Sequence, residues 1–304
     1  MLRVGFSVIV AGFVVVVAVD AVSDLSSVRL RVDAVWLTIA YPLGLAAFPL
    51  LALGWAELLH AYGHRLTGPT AVRLWALAQA SRYIPTGLAA VASRAVLANR
   101  LGVPRSLTVT TMVVEGGLLV AWSSLAGGAL LLAGGHQEVI PVALLGAAAL
   151  IALPTLLVVA GRAAAGRAAP GRLILLVTKI THQPGPPAVR PLVGATLIVG
   201  FNMAVKAAVF VLLARTLLPV RADDTALLVG AVNLAVIVGM IGITPAGIGV
   251  REGALIALLS GRFGGADATA LALALRVWDL SVELPWVGVA VVANRLRPAT
   301  LRPG

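Results

Sequence analysis

VIPVALLGAAALIALPTLLVVA, Val139–Ala160, runs for 22 residues without one charged side chain. At about 1.5 Å rise per residue such a helix is ~33 Å long, enough to cross a hydrocarbon core of about 30 Å. A helix apolar on every side belongs in lipid or in the middle of a much larger fold. Similar runs occupy Val4–Val19, Ala34–Leu53, Leu107–Ala133, Pro191–Leu218 and Thr225–Ile243. The chain as a whole is 60% hydrophobic and only 12% charged, against roughly half and a quarter in soluble domains. Its mean hydropathy is +1.02. The reading is all-α and polytopic, with about seven or eight spanning helices.

Lysine and arginine number 23 against 12 acidic residues, a net charge of +11. On a soluble face this excess would suggest nucleic acid; here it sits between apolar runs, so no nucleic-acid partner is expected. The basic groups are Arg3, the stretch Arg65–Arg105, the loop with Arg162, Arg167, Arg172, Lys179 and Arg190, and the tail with Arg295, Arg297 and Arg302. The positive-inside rule places these in the cytoplasm. The alternate connections, with Asp20, Asp24, Asp33, Glu138, Asp223 and Asp224, face outward. No small-x-small cleavage site follows Val19, so Val4–Val19 is taken as the first span rather than as a cleaved signal. Without cysteine there is no disulfide, thiolate metal site or cysteine nucleophile.

The proline-bearing basic loop 161–190 divides the chain into a first membrane half, 1–160, and a second, 191–304. The parts recur in the same order. Ile84-Pro85-Thr86-Gly87-Leu88 leads through a short apolar stretch to Gly102 and a long helix carrying Glu115. Thr244-Pro245-Ala246-Gly247-Ile248-Gly249 leads likewise to Gly264 and a helix carrying Arg276, Asp279 and Glu283. Each Pro-x-Gly opens an apolar segment of about 10 to 14 residues, too short to span. Re-entrant half-helices near 84–101 and 245–260 are expected, and their irregular backbone must be covered by protein or line a wet cavity. Counting charges gives two parallel repeats. It leaves a conflict at the C-terminus, whose basic tail lands outside if the second segment is re-entrant.

Charge at membrane depth is costly and needs partners or water, which makes such residues candidates for a binding site. They are Arg94, Glu115, Lys206, Arg251, Glu252, Arg276, Asp279 and Glu283. Spacings of three and four put residues 276, 279 and 283 on one helix face. That face is either a structural ion-pair ladder, with Lys206 or Arg251 bridging Glu283 to Arg276, or a wet, substrate-facing wall. Arg94 is suited to bidentate contact with a lipid phosphate, and Arg82 to snorkelling toward headgroups. Glu57, His60 and His64 share a face at the end of a span, where such residues are ordinary at the interface; no metal is expected. No phosphate-cradling glycine loop or nucleophile elbow occurs, so neither a cofactor nor catalysis is expected.

The stretch Ile243-Thr244-Pro245-Ala246-Gly247-Ile248-Gly249-Val250-Arg251-Glu252-Gly253, followed by Gly264 and Arg276, resembles the transmembrane region of lysylphosphatidylglycerol synthases, a flippase-like family. Tyr83-Ile84-Pro85-Thr86-Gly87, Arg94, Gly102-Val103 and Glu115 resemble its other patterned segment. Two departures stand out: Thr86 separates Pro85 from Gly87, and Gly116 rather than a basic residue follows Glu115. The resemblance implies movement of a phospholipid or a lipid-linked, polyprenyl-phosphate substrate between leaflets of the cell membrane. Members that transfer lysine append a soluble aminoacyl-transferase domain; this chain ends soon after its last helix and is not expected to be a synthase. The alternatives are a non-transporting lipid-binding scaffold for a membrane glycosyltransferase or lipid synthase, and an embedded transferase with a polyprenyl-phosphate donor. The partners implied are the lipid itself, a second copy in a homodimer, and a cell-envelope biosynthetic enzyme.

Overall fold

A computed structural model of the chain describes residues 33–83, 89–133, 135, 137–165, 186–241, 247 and 249–296. The expected first span Val4–Val19, the motif residues Pro85, Gly87 and Pro245, and most of the central loop and basic tail lie outside the described residues. Among the described residues the elements are helical: α1 Ala34–Ala61, α2 Gly68–Gln79, α3 Ala89–Asn99, α4 Arg105–Ala133, α5 Ile140–Ala165, α6 Val189–Leu217, α7 Asp224–Ile241, α8 Val250–Phe263 and α9 Gly265–Leu296, with short 3-10 turns at Ala80–Tyr83 and Gln137–Val139. Among the described residues four segments are long and apolar enough to cross a membrane: Ala34–Ala61, Arg105–Ala133, Gln137–Arg162 and Val189–Leu217. This is the architecture of a polytopic membrane protein.

The centre of the molecule is the pair α1 and α6. Asp33 N–H donates to Thr216 O (3.0 Å) at one end and Ala188 N–H to Ala61 O (2.7 Å) at the other. Midway, Asn202 Nδ2 donates to Ala47 O (2.6 Å), and Gly54 lies against Ala195 and Val199. All these pairs obey one antiparallel register along the full length of both helices. In lipid no hydrophobic force favours one helix neighbour over another, so small residues that let backbones approach, together with polar links, decide the pairing. The same rule explains the contact of α4 with α5, where a Cβ on Gly146 would lie 2.7 Å from Ala121 O and one on Gly128 would lie 2.7 Å from the Ala143 nitrogen.

Proline joins α9 to α1. Pro49 has no N–H and so leaves Leu45 O, four residues back, without its helical donor; Trp286 Nε1 supplies one at 3.0 Å. Pro285 in α9 likewise frees Ser281 O, and the Tyr41 hydroxyl of α1 donates to it at 3.2 Å. Each helix thus repairs the other's broken ladder with an aromatic donor, as backbone at membrane depth requires. Because residue numbers rise together along both helices, α1 and α9 are parallel.

The ends of the helices can now be sorted. Asp33 of α1 meets the C-terminal end of α6. Leu131, near the end of α4, meets Gly230, near the start of α7. Arg262, near the end of α8, pairs with Asp224 at the start of α7 (Nε to Oδ1, 2.5 Å). These termini and the α8–α9 turn gather at one end of the bundle, so α4 runs toward that end and α9 away from it. The expectation of parallel repeats is corrected here: α4 and α9, the long helices of the two halves, are antiparallel. Charge counting alone does not fix the direction in which a helix runs, which these contacts do.

A second correction concerns Arg65–Arg105, expected to be a cytoplasmic stretch with one half-helix. It holds two helices. Pro69 in the first turn of α2 suits a helix start, and Ala71, Leu74, Trp75 and Ala78, spaced by three and four, are buried against α1, α3 and α9. Contacts between helices follow a reciprocal pattern: α2 touches α1, α3 and α9, while α7 touches α6, α8 and α4.

Candidate functional site

A cavity of about 510 Å³ lies between the helices and receives residues from each of them except α5. Its wall carries three cations, Arg94, Lys206 and Arg251, and three carboxylates, Glu115, Asp279 and Glu283, with Phe48, Trp75 and Trp278 among the apolar surfaces. Six of the eight charged residues singled out from sequence therefore meet in one space.

Arg94 of α3 and Glu115 of α4 form a sealed pair, Nη1 to Oε2 at 2.5 Å, their side chains only 4% and 7% exposed. The turn at residues 100–104 folds α3 back along α4, which brings the two residues level. Trp75 Nε1 donates to the other carboxylate oxygen (3.3 Å), and the Arg94 guanidinium lies 5.3 Å from the ring centres of both Trp55 and Trp75. Trp55 is itself held by a bond from its Nε1 to Thr111 Oγ1 (3.0 Å). Paired, and placed over two indoles, the guanidinium is compensated inside the bundle.

Arg251 of α8 and Asp279 of α9 form a second pair, Nη1 to Oδ2 at 2.6 Å, more open at 20% and 27% exposed. Gly264 turns the chain between these helices and sets residue 251 beside residue 279. Arg251 Nε has no hydrogen-bond partner among the described residues. Lys206 of α6 is exposed within the cavity wall, and Glu283 is buried one turn beyond Asp279.

Glu252 and Arg276 stand behind this wall rather than on it. Glu252 Oε2 accepts the Gly249 N–H at 2.7 Å and so caps the start of α8. Its Oε1 lies 3.8 Å from Arg276 Nη1. The ladder expected on α9 is thus divided: Asp279 and Glu283 face the cavity, while Arg276 braces α8. Gly247 is buried with φ +69°, and a Cβ there would come within 3.0 Å of Gly239 O. Only glycine suits that backbone in that space. Gly249, at φ +82°, precedes the helix it caps. At the surface of α1, His60 Nδ1 and Glu57 Oε2 lie 3.4 Å apart, and no cluster of three or more metal-ligating side chains occurs among the described residues.

The aromatic wall was not read from sequence. Trp75 sits on a short helix whose Arg73, with Arg65 and Arg82 on either side of it, hid its apolar face, while Trp278 is adjacent to Asp279 in the chain and could have been included with it.

A multi-helix membrane fold with a charged cavity between its helices is a class of protein rather than a single activity. The transmembrane region of lysylphosphatidylglycerol synthase matches residues 2–284, nearly the whole chain, and the protein belongs to that family. No curated protein matches it.

Proposed function

We propose that this protein moves a phospholipid or a lipid-linked, polyprenyl-phosphate substrate between the leaflets of its membrane. The observation that carries this reading is the cavity: six ionisable side chains facing a space of about 510 Å³ in a bundle that otherwise turns apolar residues outward. Charges at this depth are retained at a cost, and they commonly mark a substrate path. A headgroup needs such a polar space to cross, while its chains remain in lipid.

The arrangement of helices supports the same reading. The same distance in sequence separates Pro85 from Pro245, Gly87 from Gly247, and the first residues of α4 and α9, Arg105 and Gly265. With α1 antiparallel to α6 and α4 antiparallel to α9, the halves are inverted repeats, the plan on which many transporters open to alternate sides. α2 with α3, and α7 with α8, are then paired helices that enter from opposite faces. At ~1.5 Å per residue, α2, α3 and α8 are about 16 to 21 Å long, short of a crossing. Counted this way, Arg295 at the end of α9 lies on the same side as Arg65, Arg105 and Arg162, a grouping that the positive-inside rule reads as cytoplasmic.

The test is a leaflet assay on the reconstituted full chain, with phospholipids and polyprenyl phosphate that carry a reporter on the acyl chain and an unmodified headgroup. The expected result is faster exchange of one lipid class, lost in the Arg251→Gln/Asp279→Asn variant. No exchange of any lipid by folded protein would sink the transport reading and favour a lipid-binding scaffold, to be sought through a stable complex with an envelope enzyme.

A further inference from the structure

We propose that the seam between α7 and α8 is the gate through which the cavity opens to the non-cytoplasmic side, and that Arg262 and Asp224 latch it shut. This deepens the transport reading and rests on it.

The first argument is position. Along α9 the cavity wall begins at Leu275, about ten residues or ~15 Å in from Gly265, and along α7 at Val232, about eight residues or ~12 Å in from Asp224. A layer of protein therefore separates the cavity from the end of the bundle where Asp224, Arg262 and the α8–α9 turn gather. α8, about 21 Å long, runs through that layer and packs against both α7 and α9. At its inner end Arg251 stands on the cavity wall, and a Cβ on Gly239 of α7 would lie 3.3 Å from the Arg251 Cβ. At its outer end Arg262 holds Asp224. The α7–α8 seam is thus a continuous line from that surface to the cavity.

The second argument is how the seam is held. α8 is fastened to α9 through the turn at Gly264 and by Arg251 with Asp279 and Glu252 with Arg276. Across the seam to α7 the tie is Arg262 with Asp224, Nε to Oδ1 at 2.5 Å and Nη2 to Oδ2 at 3.0 Å, while the buried residues of α8 are Leu255 and Leu259. Breaking this tie differs from breaking the sealed pair of the cavity. Separating Arg94 from Glu115 would strand two charges inside the bundle. The Arg262 side chain is 40% exposed and meets water when it lets go. Asp224 keeps the Arg221 N–H (2.8 Å) and the start of α7, where a helix favours negative charge. A tie whose members both have somewhere else to turn can be released and remade. The pivot lies at the inner end of the seam, where Gly247 and Gly249 hold left-handed backbone and a Cβ on Gly249 would meet nothing within 4 Å.

The experiment uses the full chain, whose lack of cysteine lets single reporters be read directly. Val236→Cys, on the α7 side of the cavity wall, is labelled in intact cells with a cationic, membrane-impermeant methanethiosulfonate. Adding Arg262→Gln should raise the labelling rate about tenfold or more, since a latched protein that is open for about 0.1–10% of the time leaves room for that rise. Arg262→Lys should return the rate most of the way. Leu58→Cys, fully buried and away from the cavity wall, should stay unlabelled in every background. Labelling there means general loosening and overturns the proposal, as does an unchanged rate at Val236→Cys. In the Asp224→Cys/Arg262→Cys variant, a short cleavable bis-methanethiosulfonate bridging the two positions should stop lipid exchange in the leaflet assay, and reductant should restore it. Exchange that continues across the bridge overturns the gate. Faster labelling with no exchange of any lipid supports the gate while sinking transport. Lipid exchange with labelling indifferent to Arg262 does the reverse.

Discussion

Trp286 offers a test of how the two proline-broken helices hold each other. Replacing it with phenylalanine keeps an aromatic ring stacked on Phe48, whose centre lies 5.9 Å away with its plane nearly parallel, but removes the N–H that serves Leu45 O. Leu45 O has lost its helical donor to Pro49, so Trp286→Phe leaves an unsatisfied carbonyl inside the bundle. Soluble proteins lose about 1–3 kcal/mol for such a group. Polar links between membrane helices are weaker on average, about 0.6 and at most ~1.7 kcal/mol. We therefore expect a loss of about 1 kcal/mol in reversible unfolding from dodecylmaltoside into SDS, followed by circular dichroism so that the lost tryptophan does not alter the signal. The decisive measurement is the same substitution in a Pro49→Ala background. The introduced alanine restores an N–H to its own helix, and Leu45 O no longer depends on Trp286, so the cost of Trp286→Phe should fall to about a third or less. An equal cost in both backgrounds would refute the argument that proline creates the need for the indole.

Three other outcomes are expected. Glu115→Ala strands Arg94, which cannot shed its charge, and should cost about 3–5 kcal/mol in the same assay, with Arg94→Met/Glu115→Leu recovering most of it. Gly247→Ala forces a side chain into a left-handed backbone and against Gly239 O, and should cost about 1–2 kcal/mol or more; a neutral result would remove the tight turn from the account. Because the chain has no cysteine, single cysteines can map its sides directly. In intact cells an impermeant maleimide should label positions 138 and 223 but not 162 and 295, and labelling at 295 would refute the cytoplasmic placement of the tail.

Much of the fold could be read from composition alone, because a run such as Val139–Ala160 has few physical alternatives. The charged residues of the cavity were also accessible, since charge at membrane depth stands out against a background of alanine, leucine and valine. Their partners were not. Arg251 meets Asp279 and Arg276 approaches Glu252 because of where α8 folds back along α9, a property of one glycine turn rather than of residue spacing. Direction was harder still. The charge pattern is nearly the same for a full span as for a hairpin that returns to the side it came from, and α7, at 18 residues, lies between the two. α2 was hidden for a related reason: Arg73 within it and Arg65 and Arg82 beside it dilute the hydropathy of the stretch, although its buried stripe of Ala71, Leu74, Trp75 and Ala78 is plainly helical.

The full-length register between α1 and α6 has a consequence for how the protein is made. α1 emerges from the ribosome about 150 residues before its main partner, and at ~5–20 residues per second it must wait roughly 8 to 30 s for α6. During that interval Ala47 O lacks the Asn202 amide, and Leu45 O, freed by Pro49, awaits the Trp286 donor from α9, which is synthesised later still. The nascent first half is thus an incomplete object held in lipid or by the insertion machinery, and its quality control must tolerate a helix whose partners do not yet exist.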